Sequence, residues 1–184
     1  PIPHIFLAKL PERYQGIVGG ISNIAYDLFV VLIIYFVGQQ LFYDMGIYAR
    51  SFGISAGAAC ALIWATSPIL HPFGARLKSI GGRALGNLFV IIYFLSFYEA
   101  SITGMWPYYI PCLIFGVLVI LSSQFALQVL MFSSIGLSLA YLSFAPLMVL
   151  AAVFILGLSI PSLGIRKQLE GKWEHVKWYS QNLP

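Results

Sequence analysis

From Ala100 to Ile165 the chain carries no Asp, Glu, Lys, Arg or His. Sixty-six consecutive residues without an acidic or basic side chain of this kind cannot form one soluble helix. A soluble helical core would also need polar faces, and here whole helical turns run without any. The stretch has the length of two or three membrane spans of about 20 residues each. The rest of the chain points the same way. It is 60% hydrophobic and 9% charged, against about 25% charged in an ordinary soluble domain. The sequence therefore predicts an all-α, polytopic integral membrane protein. Residues 1–16 lack the long apolar core and small-residue cleavage site of a signal peptide.

Apolar runs place spans near 17–42, 53–71 and 84–103. "GMWPYYIP" (104–111) then reads as a turn at a membrane interface, with Trp106, Tyr108 and Tyr109 as belt aromatics. Positive charge sets the count of spans. Lys9 and Arg13 precede the first span, and Arg76, Lys78 and Arg83 lie between the second and third. Arg166, Lys167, Lys172 and Lys177 follow the last. If the basic side is cytoplasmic, both termini and the 72–83 loop face it, and the number of spans is even. Three further spans then lie near 107–124, 126–143 and 146–164. Six spans are expected. Five fit the lengths more comfortably but strand the basic tail on the wrong side. With no linker, repeat or low-complexity segment, residues 1–164 read as one transmembrane domain. The net charge of +4 is spread over small basic groups beside apolar runs, which fits topology signals and membrane lipids, not nucleic acid.

"SNIAYDLFVVLIIYFVG" (22–38) puts Asp27 well inside an apolar run. A lone carboxylate at that depth costs roughly 2.5–3.5 kcal/mol on insertion scales. At 100° per residue, Gly16, Gly20, Asn23, Asp27, Ile34 and Gly38 share one small, polar stripe. Leu28, Val30, Ile33 and Phe36 are assigned to the opposite face. Asp27, with Asn23 one turn before it, is thus an intramembrane polar site expected to face protein or a polar cavity. No basic residue lies inside any span, so a protonated acid, a hydroxyl partner, a bound cation or a cation from another chain must satisfy it. On the second span Gly53, Gly57, Ala61 and Ala65 recur every four residues, a spacing that lets helix backbones approach closely.

The tail 165–184 changes character. Ile165, Leu169, Trp173, Val176 and Leu183 share one face, and Arg166 and Glu170 can pair at i, i+4. An interfacial amphipathic helix is expected there. Lys172 falls on the apolar face and would snorkel, and Trp178 falls on the polar one.

The inventory for catalysis is thin. His4, His71 and His175 have no partner ligand at helical spacing, and there is no HExxH, GxSxG or phosphate-binding Gly-rich loop. A single intramembrane Asp cannot make an aspartyl-protease pair. Catalytic and metal-binding residues are therefore expected to be none, and no cofactor can be named. Cys60 and Cys112 read as inert buried thiols. Arg76, Lys78 and Arg83, among Gly74, Gly81 and Gly82, could meet lipid phosphate or an acidic partner. Glu99, near Ser96 and Thr103, reads as a boundary carboxylate. The cluster Ser122, Ser123, Gln124, Gln128, Ser133 and Ser134 reads as a turn signal.

Three function classes follow. The first is a non-catalytic membrane subunit that packs and stabilises a larger complex and holds lipid or a hydrophobic cofactor. The second is a small-solute or ion carrier with Asp27 as its coupling site. The third is a lipid-modifying enzyme using Glu99, His71 and the 71–83 loop. The thin inventory and the 16% aromatic content favour the subunit, partnered by other membrane subunits or by its own copies.

Overall fold

The computed structural model describes residues 8–44, 55–66 and 82–182, and over these it is all-helical. Seven α-helices occur in the order α1 (Glu12–Asp44), α2 (Ala56–Thr66), α3 (Gly82–Thr103), α4 (Tyr109–Ser122), α5 (Gln124–Ala140), α6 (Ala145–Ser159) and α7 (Ile165–Asn182). Single 3₁₀ turns at Trp106–Tyr108 and Pro161–Leu163 lead into α4 and α7. Two of the helices are long and apolar enough to cross a membrane, over Glu12–Leu41 and Ala84–Thr103. The apolar helices α2, α4, α5 and α6 are shorter. α4, with 14 residues, is about 21 Å long at 1.5 Å per residue.

The described residues group into two compact units, one through Ala84 and one from Leu85. The boundary falls in the first turn of α3, so no change of composition marks it. The tail belongs to the second unit, because Ile165 is buried and Leu169 packs against that unit's core.

In the first unit α1 packs on α2. A Cβ added to Gly57 would overlap the Tyr35 carbonyl oxygen and come within 3.0 Å of Gln39 Cβ. One added to Gly38 would sit 3.0 Å from Cys60 Cβ. At Gly57 the backbones approach so closely that only glycine fits, and its N–H reaches Gln39 Oε1 at 3.4 Å. Of the α2 stripe, Gly57 and Ala61 are buried and Ala65 is exposed; Gly53 lies outside the described residues. On α1 the buried positions are Gly19, Asn23, Val30 and Gly38. Val30 is therefore not on the outward face with Leu28 and Phe36. Seven residues from Asn23, it has turned almost two full turns and returned to the same side.

The second unit is built by up-and-down packing of α4, α5 and α6, with α7 touching α4 and α6. The connections are short. Ser123 alone, extended at φ −151°, separates α4 from α5, and its Oγ accepts the Ala126 N–H at 3.0 Å as the N-cap of α5. Gly104, at φ +65°, closes α3, its N–H bonded to the Ala100 carbonyl. Pro111 sits in the first turn of α4, where its missing N–H costs no helical bond. α3 joins this unit through large aromatic side chains. Tyr93 lies against Gly116, where an added Cβ would be 3.3 Å from its ring, and the Phe89 and Phe115 rings are 5.7 Å apart. The core gathers Tyr93 and Phe97 of α3, Cys112 and Ile120 of α4, Leu130 of α5, Val153 of α6 and Ile165 of α7.

Candidate functional site

Hydroxyls are handled in two ways in this protein. Ser22, Ser96, Ser101, Thr103 and Ser159 each donate to the carbonyl four residues back, at 2.7–2.8 Å. That satisfies a hydroxyl without help from another helix or from water. Tyr93, Ser134 and Ser138 do otherwise: their oxygens are buried and make no hydrogen bond. Tyr93 Oη faces Ser134 of α5 and Cys112 of α4, near enough to interact but short of hydrogen-bond geometry.

This buried group lies one helical turn below an open cavity. Phe97 follows Tyr93 by four residues, Tyr109 precedes Cys112 by three, and Leu137 and Tyr141 follow Ser134 and Ser138 by three. All four of these neighbours line a cavity of about 890 Å³. Its walls are the C-terminal half of α3, the start of α4, the C-terminal half of α5 and the start of α6. It therefore opens at the end of the unit away from α7. The spacing of the helices accounts for it. α4, α5 and α6 pack closely, and α3 approaches them closely at Gly86 but meets them further along through aromatic side chains. The gap is filled at Tyr93 and stays open beyond Phe97.

The lining is mostly apolar, with hydroxyls from Tyr98, Ser101, Tyr109, Ser133, Tyr141 and Ser143. At the cavity's edge the turn from α5 to α6 holds Leu142 at φ +48°, a left-handed conformation uncommon for leucine, and leaves it 92% exposed. Phe144, next to it, is also exposed.

The residues singled out from the sequence are scattered over the molecule. Asp27 is half-buried and Asn23 buried, both in the first unit. Glu99 is exposed on α3 between Tyr98 and Ala100 of the cavity wall. Ser96 and Thr103 spend their hydroxyls on their own helix and not on its carboxylate. Arg76, Lys78 and His71 lie outside the described residues, as does the side chain of Arg83. Cys60 and Cys112 are free thiols, half-buried and buried respectively. Among the described residues no three His, Cys, Asp or Glu come together as metal ligands would. Sequence reasoning missed the cavity. Ser133 and Ser134, read as turn residues, lie inside α5, one on the cavity wall and one in the core. Their adjacency to Leu137 and Tyr141 at helical spacing was the available signal. No protein-family model matches the chain, and no curated protein or solved structure matches it either.

Proposed function

We propose that the chain is a multi-pass integral membrane protein that works as a non-catalytic subunit of a larger membrane complex and holds a lipid or hydrophobic cofactor in the cavity of its second unit. The observation that carries this reading is the exposure of large apolar side chains on the helices of that unit. Phe132, Leu139, Met148 and Ile155 of α5 and α6 all stand exposed. The two long apolar helices add to it. Only 17% of the apolar window of α1 and 33% of that of α3 is buried, whereas a core helix of a soluble protein is buried over most of its length. α4, α5 and α6 are short for a hydrocarbon core of about 30 Å. Packing against longer helices of a partner, or local thinning of the bilayer, would accommodate them.

In this reading the basic tail on α7 and the 72–83 loop face the cytoplasm, and the cavity opens toward the opposite leaflet. The tail helix supports a surface placement. Ile165 and Leu169 dock its first turns, while Trp173 on the same face is exposed and free to enter the headgroup region. The exposed Arg166–Glu170 pair at 3.0 Å adds only about 0.3–0.5 kcal/mol. The test is isolation from native membranes after alkaline washing, followed by native mass spectrometry. A hetero-complex of fixed stoichiometry carrying lipid is the expected result. A chain washed free by alkali would end the membrane reading, and a self-sufficient lipid-free homo-oligomer would end the subunit reading.

A carrier is the second reading, favoured by the placement of Asp27 on the inward side of α1 beside buried Asn23. Asp27→Asn separates the two. A structural role leaves assembly intact with Asn and weakens it with Asp27→Leu, whereas ion coupling loses flux with Asn while assembly is kept.

A further inference from the structure

We infer, resting on the lipid-holding reading above, that the cavity selects an uncharged lipid with a free hydroxyl or ester head, such as a mono- or diacylglycerol, and rejects a phosphate head. Every polar side chain on the wall is neutral. Among the described residues, the hydroxyls of Tyr98, Tyr109, Ser133 and Tyr141 make no hydrogen bond within the protein, so they are free to donate to or accept from a ligand. Among the described residues no Lys, Arg or His lines the cavity, and none occurs between Ala100 and Ile165. Beside the wall stands the carboxylate of Glu99, exposed between Tyr98 and Ala100.

A phosphate entering this space would give up its hydration, find no cation to pair with, and approach a like charge. A glycerol hydroxyl or an ester carbonyl would meet tyrosine and serine hydroxyls instead, at small desolvation cost. The apolar remainder of the wall, from Phe94, Phe97 and Leu137 among others, suits an acyl chain. The volume of about 890 Å³ lies within the range of roughly 300–1,000 Å³ typical of small-ligand sites.

The experiment uses the full chain in phosphatidylcholine nanodiscs and a photoreactive monoacylglycerol with a diazirine in its acyl chain. Labelled peptides are mapped by mass spectrometry. Unlabelled dioleoylglycerol and dioleoyl phosphatidic acid, matched in acyl chains, are the competitors. Labelling is expected within 94–109 and 133–146, with dioleoylglycerol protecting at a concentration about tenfold or more below that needed with phosphatidic acid. Ser133→Lys, which adds a cation to the wall, is expected to close most of that gap. Equal protection by both lipids, or better protection by phosphatidic acid, overturns the head-group inference and leaves the lipid-holding reading standing. Labelling elsewhere that no lipid competes defeats both. If Ser133→Lys does not fold, the wild-type competition decides alone.

Discussion

The two units bury themselves by different means. In the first, a 33-residue helix meets a short one through backbone at Gly57, which lies against the Tyr35 carbonyl. In the second, helices meet through side chains, with Tyr93, Ile120, Leu130, Val153 and Ile165 filling the interior. Glycines occur there too: Gly86 meets the rigid Ala126 Cβ, but the neighbours of Gly116 and Gly157 are side-chain ends. An added Cβ would meet Val153 methyls at Gly116 and Ile165 Cδ1 at Gly157. A backbone contact cannot yield to an added methyl, and a side-chain contact can, at the cost of a rotamer or a small shift. The α1–α2 contact should therefore be brittle at Gly57, and the bundle forgiving at Gly116 and Gly157.

Gly57→Leu is the harshest test of that contrast. It should cost about 3 kcal/mol or more and strip α1 and α2 of protection against proteolysis in mild detergent. Leu62→Ala, on an exposed side of the same helix, should cost under about 0.5 kcal/mol. Comparable losses would show that the glycine contact is incidental. Truncating Gln39 to Ala should not rescue Gly57→Leu, because the Tyr35 carbonyl remains in the way.

Gly116→Ala comes next. Its Cβ would lie 2.5 and 2.9 Å from the two Val153 methyls, so a loss of about 1–3 kcal/mol in thermal unfolding is expected. Here rescue should work. Val153→Ala alone opens a void, but in the double variant the new methyl occupies part of it, giving a favourable coupling of about 1 kcal/mol or more. Strict additivity would mean that the two positions do not share a contact, and the contrast with the α1–α2 contact would collapse. Gly157→Ala should cost less, about 1 kcal/mol, because Ile165 Cδ1, at 2.8 Å, is the far end of a flexible side chain. Its effect should show as faster cleavage of α7 while α4–α6 stay protected.

Helix type was legible because the chain divides into long apolar runs of helical length, separated by turn residues such as Gly104 and Pro107. The turn at "GMWPYYIP" was legible from Gly104 and Pro107, which the structure uses as an αL closure and the start of a 3₁₀ turn. The close approach at Gly57 was legible from four-residue spacing, although Ala65 at the far end of the stripe is exposed. What could not be read was which residues of different helices face one another. Val30 is the exception: at about 100° per residue it lies about 20° from Asn23, so its spacing alone puts it on the inward side, where it is buried, and not on the outward face with Leu28. The cavity depends on the separation of α3 from α5 and α6, a quantity set by whole aromatic side chains and encoded in no local pattern. The same holds for the pairing of Tyr93 with Ser134, two helices and 41 positions apart.

That pair supplies the smallest expected effect. Tyr93 is 1% exposed, its ring packs edge-on against Phe94 at 5.0 Å, and its hydroxyl is buried without a hydrogen bond. Tyr93→Phe keeps the ring and every apolar contact. It removes an oxygen that lost its water on folding and gained no full hydrogen bond in return. Such a change should move stability by less than about 1 kcal/mol, toward greater stability, and Ser134→Ala should behave alike. Ser122→Ala is the control, because that hydroxyl does bond, donating to the Val119 carbonyl at 2.9 Å, and its loss should cost about 1 kcal/mol. Thermal unfolding of the three variants in one detergent orders them. If Tyr93→Phe and Ser134→Ala each cost 1–3 kcal/mol, their oxygens are held by a bound water or ligand group. The interior beneath the cavity is then a wet extension of the site, and the bundle owes its stability to more than side-chain packing.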